Sequence, residues 1–84
     1  MFDIQYAKSV KKDIEKIDKQ NLDRIKKAIE TLGKFPNVSN IIKLSAHPLA
    51  DYRLRVGEYR VLFDVHWEKR IVSVLKIGHR RDVY

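Results

Sequence analysis

Five arginines dominate the chemistry available to this sequence. Arg53 and Arg55 lie in the run Tyr52-Arg53-Leu54-Arg55-Val56, Arg60 follows Gly57-Glu58-Tyr59, and Arg80 and Arg81 stand in Gly78-His79-Arg80-Arg81-Asp82-Val83-Tyr84. A guanidinium fork matches phosphate oxygens bidentately and stays charged at any relevant pH. A cluster of such groups binds an RNA backbone, and it also stabilises the extra negative charge of a pentacoordinate phosphorane. RNA can be cut without a metal ion: the 2′-hydroxyl attacks the adjacent phosphate with the help of a base, and an acid protonates the leaving 5′-oxygen. Tyr84 and His79 are the candidate proton carriers. Histidine titrates near neutrality, and a tyrosine donates when neighbouring cations stabilise its anion. Tyr52 and Tyr84 offer rings on which unpaired bases stack, and Lys43 and Arg81 are further candidates for RNA contact.

Each of these residues also has a plainer account. A basic face is commonly just solvated, or docks an acidic partner. Glu58 is a carboxylate between the arginine-bearing segments and a candidate base, but a glutamate at a hairpin tip is commonly a solubilising turn residue. His47 beside Pro48 and His66 near a hairpin turn read as surface residues. No cluster in the sequence has metal-ligand spacing, so neither a metal nor another cofactor is expected. The lysines at 8, 11, 12, 16, 26 and 27 read as the wet faces of helices, with a secondary role in attracting a polyanion. Trp67 reads as an apolar lid at a sheet edge or, equally, as part of a protein-binding patch.

The elements that must hold the arginines follow from periodicity. Phe2, Ile4 and Tyr6 alternate with polar residues, as in a short strand. Ala7, Val10, Ile14 and Ile17 then form a helical stripe, and Leu22, Ile25, Ile29 and Leu32 form a second. The spacing predicts helices over 7–17 and about 21–34, joined by Asp18-Lys19-Gln20-Asn21 with its capping side chains. Pro36 stops the second helix. Residues 36–51 read as loop, with Ile41-Ile42-Lys43-Leu44 as a short extended piece. Strands are expected over 52–56, 59–66 and 70–77. Gly57-Glu58 fits a two-residue hairpin of type II′, which places Arg55 opposite Arg60 and Arg53 opposite Leu62. Tyr52, Leu54, Val56, Tyr59, Val61, Phe63 and Val65 then face the helices, while Arg53, Arg55 and Arg60 share the opposite face. The last strand is apolar on both faces. That implies a central position, with the N-terminal strand on its far side, and leaves the facing of its side chains open. The fold class is α+β: a small antiparallel β-sheet with an N-terminal helical hairpin packed on one face, in the order β-α-α-β-β-β.

Composition sets the outer limits. Eighty-four residues make a single domain, 1–84. Apolar residues are 44% of the chain and charged residues 35%, which suits a folded chain and excludes a disordered one. With no cysteine, a disulfide scaffold, a thiolate zinc site and a cysteine nucleophile are all excluded. The net charge of +7 favours a polyanionic partner. No apolar run is long enough to span a membrane, and the first residues carry no secretion signal, so a cytoplasmic location is expected.

Leu44, the run from Tyr52 to Phe63 and the segment from Gly78 to Tyr84 together resemble the RelE branch of the RelE/ParE toxin superfamily. The resemblance covers nearly the whole chain, and its specific parts are Tyr-Arg-x-Arg-x-Gly-x-Tyr-Arg and the terminal Gly-His-Arg…Val-Tyr. It implies the toxin of a type II toxin–antitoxin pair: a metal-independent endoribonuclease that enters the ribosomal A site and cuts the bound mRNA, with a cognate antitoxin protein that wraps around and neutralises it. By position in the motif, the site is Arg53, Arg55, Arg60, Arg80 and Tyr84. The resemblance gives Tyr84 the role of stacking on the mRNA base and aiding proton transfer, and gives Arg60 and Arg80 the scissile phosphate. Arg53 and Arg55 support the nucleophile and the developing charge. The best-known member carries lysines where this chain has Arg53 and Arg55. An arginine does not give up its proton, so the base here is His79, Glu58 or water. The alternatives are a ParE-like inhibitor of DNA gyrase with the same fold and no nuclease activity, and a nucleic-acid-binding module that does not cut.

Overall fold

The change from alternating to helical period is realised early in the chain. A computed structural model describes residues 1–83, with β1 (Asp3–Tyr6), α1 (Val10–Glu15) and α2 (Lys19–Glu30) in that order. α1 is shorter than its stripe suggested. Ala7 still belongs to the strand ladder, its N–H donating to the Val74 carbonyl at 2.9 Å. Ile14 and Ile17 nevertheless pack on the core as the stripe requires. α2 begins earlier than expected because Asp18 caps it: the backbone there is extended (φ −65°, ψ 155°) and its side chain accepts the Asn21 N–H at 3.1 Å. The hydrogen bond from Asn21 is also the main cause that holds the Asp18 carboxyl below its ordinary pKa. The last turn tightens to a 3-10 helix over Thr31–Lys34.

The remaining elements are β2 (Ile41–Lys43), β3 (Tyr52–Val56), β4 (Tyr59–His66), β5 (Ile71–His79) and a final turn α3 (Arg80–Val83). The five strands form one sheet in the order β1-β5-β4-β3-β2. Three of its pairings are antiparallel, but β1 runs parallel to β5. The helical hairpin carries the chain from β1 to β2 at the opposite edge, and β3 and β4 bring it back so that β5 lies beside β1. The extended piece around Ile41 is a true edge strand, with Ile42 opposite Arg53.

Alternation assigns the two faces. Leu54, Val61 and Phe63 are buried under the helices, against Ile25, Ile29 and Leu32. Tyr52 stacks on Phe63 with centroids 5.4 Å apart, and Phe35 meets both rings edge-on. Trp67 is half exposed and meets Phe2 and Phe35 edge-on at 5.5 and 5.4 Å, a lid on one end of the core. The ambiguity in β5 has a physical cause. The ladder shifts between Leu62 and Phe63, which pair with Lys76 and Val74, so Leu75 is the extra residue of a bulge. Val72 and Val74 face the helices before the bulge, and Ile77 faces them after it. Leu75 joins a second, smaller cluster on the other face, with Leu44, Ala50, Leu62 and Val83. No helix among the described residues is long and apolar enough to cross a membrane.

Candidate nucleic-acid interface

β3 and β4 are joined by Gly57-Glu58, with Gly57 at φ 58°, a left-handed conformation that glycine adopts at low cost. This turn sets the register, and the register sets the site. Arg55 pairs directly with Arg60, and Arg53 pairs with Leu62, so the three guanidinium-bearing positions share the face away from the helical hairpin. Like charges directly opposite each other are unfavourable. The two side chains diverge. Arg60 turns into the hairpin and donates through one terminal nitrogen to the carbonyls of Gly57 at 2.8 Å and Tyr59 at 2.9 Å. Arg55 turns to the sheet edge and donates to Asn40 Oδ1 at 3.3 Å, while its backbone N–H meets the Asn40 carbonyl at 2.9 Å. Asn40 holds a left-handed φ of 66°, which asparagine tolerates better than most residues.

Arg60 is the unusual member. Only 9% of its surface is exposed, and it is the buried charged residue among those described. It makes no ion pair with a described carboxylate, and its Nε is buried with no hydrogen-bond partner among the described residues. Removing a cation from water without an anion costs several kcal/mol. Carbonyl oxygens offset part of that cost, and an arriving phosphate would offset more. Arg53, half-buried in the middle of the face, and exposed Arg55 extend the same positive field.

Arg80 reaches the same hairpin from the other side. Its Nε lies 2.8 Å from Glu58 Oε2, and its backbone N–H donates to the Glu58 carbonyl at 2.8 Å. Both side chains are well exposed, 59% and 61%, so the ion pair is worth little by itself and positions more than it stabilises. Glu58 is therefore engaged by Arg80 rather than standing free beside the arginines.

Other sequence candidates are placed elsewhere. β5 continues to His79, which pairs with Tyr59 and so lies on the helix-covered face. Its ring meets Tyr59 edge-on at 5.7 Å, and its Nδ1 accepts the Arg81 N–H at 3.2 Å. His79 and Arg81 line a separate cleft of about 330 Å³ with Asp13, Lys16 and Asp82. Inside that cleft Asp13 accepts from Lys76 at 3.4 Å and from the Ile77 N–H at 3.0 Å. Tyr52 packs among Phe35 and Phe63 on the helix-covered face, and Lys43, its partner in register, shares that face at the exposed edge. The structure thus brings together Arg53, Arg55, Arg60 and the Arg80–Glu58 pair, and it separates them from His79, Arg81, Tyr52 and Lys43. Tyr84 lies outside the described residues. Asn40, which orients Arg55, gave no signal in sequence beyond its place before an edge strand.

Comparison with known proteins bears on the chain as a whole. Residues 4–84 match the family model described as the ParE toxin of the type II toxin–antitoxin system parDE. The "Putative toxin RelE1" of Methanocaldococcus jannaschii is 33% identical over 85 residues, spanning 99% of this chain and 94% of the relative. A chain of the archaeal RelE–RelB complex from Pyrococcus horikoshii OT3 superposes with a TM-score of 0.76 at 27% identity, over 96% of this chain and 97% of that one. A chain of the toxin–antitoxin complex RelBE2 from Mycobacterium tuberculosis reaches a TM-score of 0.80 at 21% identity, over 94% and 98%, and shows the shared fold. The ParE description and the RelE relatives name two branches of one superfamily. Matched from its first strand to its last residue, this chain belongs to the RelE/ParE family of toxins of type II toxin–antitoxin systems.

Proposed function

We propose that the chain is an endoribonuclease that cuts mRNA in the ribosomal A site without a metal ion. The single observation that carries this reading is Arg60: a buried guanidinium with no described carboxylate beside it, on a face it shares with Arg53 and Arg55. Such an arrangement is built to receive an anion. In the proposed reaction the 2′-oxygen loses its proton and bonds to phosphorus. The 5′-oxygen leaves with a proton, and a 2′,3′-cyclic phosphate and a 5′-hydroxyl result. Arg60 and Arg80 hold the scissile phosphate, and Arg53 and Arg55 offset the charge that grows on it in the transition state. His79 lies on the far face and Glu58 is engaged by Arg80. Proton transfer accordingly falls to Tyr84 and water.

The partner in this reading is a cognate antitoxin whose acidic or amphipathic segment covers the basic face. The net charge of +7 and the RelB-bound state of the Pyrococcus relative support it. The test is inducible expression in bacteria, with mRNA cleavage mapped on and off the ribosome, with and without chelator, and with the antitoxin co-expressed. Cleavage only on ribosomes, unchanged by chelator and abolished by the antitoxin, is the expected result. A second reading is favoured by the ParE description of the family model: a gyrase inhibitor that binds and does not cut. Growth arrest with intact mRNA and inhibited supercoiling would establish it instead.

A further inference from the structure

Gly78 stands directly opposite Arg60 in the β4–β5 ladder. Its φ is not left-handed, since Gly57 is the glycine that adopts that conformation. Backbone freedom therefore does not explain a glycine here; space does. A Cβ built at Gly78 would lie 2.9 Å from Cγ2 of Val83, closer than real Cβ atoms approach their neighbours. Val83 is buried, and it packs with Leu62 and Ala50 in the small cluster on the arginine face.

We propose that Gly78 and Val83 are positioning residues for the arginine face: Gly78 is a notch in β5, Val83 seats in it, and the seating fixes where α3 carries Arg80. The proposal rests on the reading of that face as the RNA-cutting surface. α3 is four residues long. A helix so short has no stability of its own, so its place is set by what holds its ends. Glu58 holds the first end through the Arg80 N–H and guanidinium. The notch holds the other. An arginine acts on a transition state only as well as it is preorganised, and a displacement of about 1 Å costs on the order of 10²-fold in rate.

The test is a cycle of Gly78→Ala, Val83→Ala and the double variant. Two readouts are used: cleavage of ribosome-bound mRNA, and hydrogen exchange of the Arg80 amide that donates to Glu58. Gly78→Ala pushes Val83 out, and Val83→Ala empties the seat. Each alone is expected to speed Arg80 exchange and to lower kcat by about 10-fold or more with little change in KM, while β4 and β5 core amides stay protected. In the double variant the new methyl occupies the space the lost one left, and both readouts recover most of the loss. The proposal fails if Gly78→Ala behaves as wild type, which would mean that Val83 turns aside without moving α3. It fails equally if the double variant is no better than the worse single one. Should Gly78→Ala not fold, unchanged Arg80 exchange in Val83→Ala is sufficient to overturn it. If the wild-type chain does not cut mRNA, the nuclease reading falls, and the exchange measurement still decides the notch.

Discussion

The two faces of this sheet are made by the same strands from different materials. On one, Leu54, Val61 and Phe63 alternate inward beneath two helices, and the rings of Phe2, Phe35 and Tyr52 close the end. On the other, Arg53, Arg55 and Arg60 occupy the intervening positions beside a cluster built on Ala50, Leu62 and Val83. The 44% of apolar residues is spent mainly on the first face. A large apolar face can hold a domain of this size together, so a small, charged face can be kept in an arrangement that costs stability. The division runs within single strands: in β4, Phe63 serves one face and Arg60 the other.

Substitutions within β4 should separate stability from activity. Phe63→Ala is expected to cost about 3–5 kcal/mol, because it opens a cavity at the centre of the helix-covered core; urea unfolding checks it. A loss below about 1 kcal/mol would mean the two faces share the burden of stability. Arg60→Ala should leave stability within about 1 kcal/mol, since it removes a buried charge along with the bonds to two carbonyls. Its cleavage of ribosome-bound mRNA should fall by on the order of 10²-fold or more, and Arg80→Ala should follow it. If Arg60→Ala unfolds the chain, the division between faces is wrong.

Smaller effects sharpen the same contrast. Tyr84→Phe keeps an aromatic ring and removes a hydroxyl, whereas Tyr84→Ala removes both. If Tyr84 only stacks on a base, the phenylalanine variant should stay active and the alanine variant lose roughly 10-fold or more. If it transfers a proton, both should fail, and full activity of Tyr84→Ala in the cleavage assay would remove it from the site. The smallest effect is expected at Asp18→Ala, which deletes the α2 cap and should lower Tm by a few degrees with no change in cleavage. The Asp18 carboxyl is held below its ordinary value of 3.8 in the folded chain, chiefly by the Asn21 hydrogen bond. Its stabilising contribution is therefore complete above that value and lost as pH falls through the folded pKa. The Tm difference between variant and wild type should shrink at low pH, and a constant difference would assign the effect to something other than the ionised cap.

Legibility in sequence followed the range of the interactions. The β3–β4 hairpin, its register and the common face of its arginines were readable because strict alternation around Gly57-Glu58 leaves one arrangement. The helix boundaries were less so. Ala7 fits a helical stripe but is claimed by a bond to Val74, a contact between residues far apart in the chain. The facing of β5 was undecidable because the bulge at Leu75 changes the parity halfway along. Tyr52 illustrates the opposite case: alternation alone put it on the helix-covered face, where it lies. His79 lies beyond the strand expected over 70–77, where alternation says nothing of its facing. Strand β5 extends through it, and one more step of alternation turns its ring to Tyr59. The Gly78–Val83 contact depends on how the chain folds back after β5, and no spacing rule reports that.

The parallel pairing of β1 with β5 also governs the order of events during synthesis. β1 is the first strand to be made, and β5, its one partner in the sheet, is the last of the five. Until residues 71–79 have emerged, β1 and one edge of β4 lack their neighbour, and Arg60 has no strand beside it on that side. Contacts that join the two ends of a chain are the slowest to close. The helical hairpin and the β3–β4 hairpin are local and close early, but the arginine face waits for β5. The face that carries Arg60 is thereby completed only when the last strand of the sheet has joined the first.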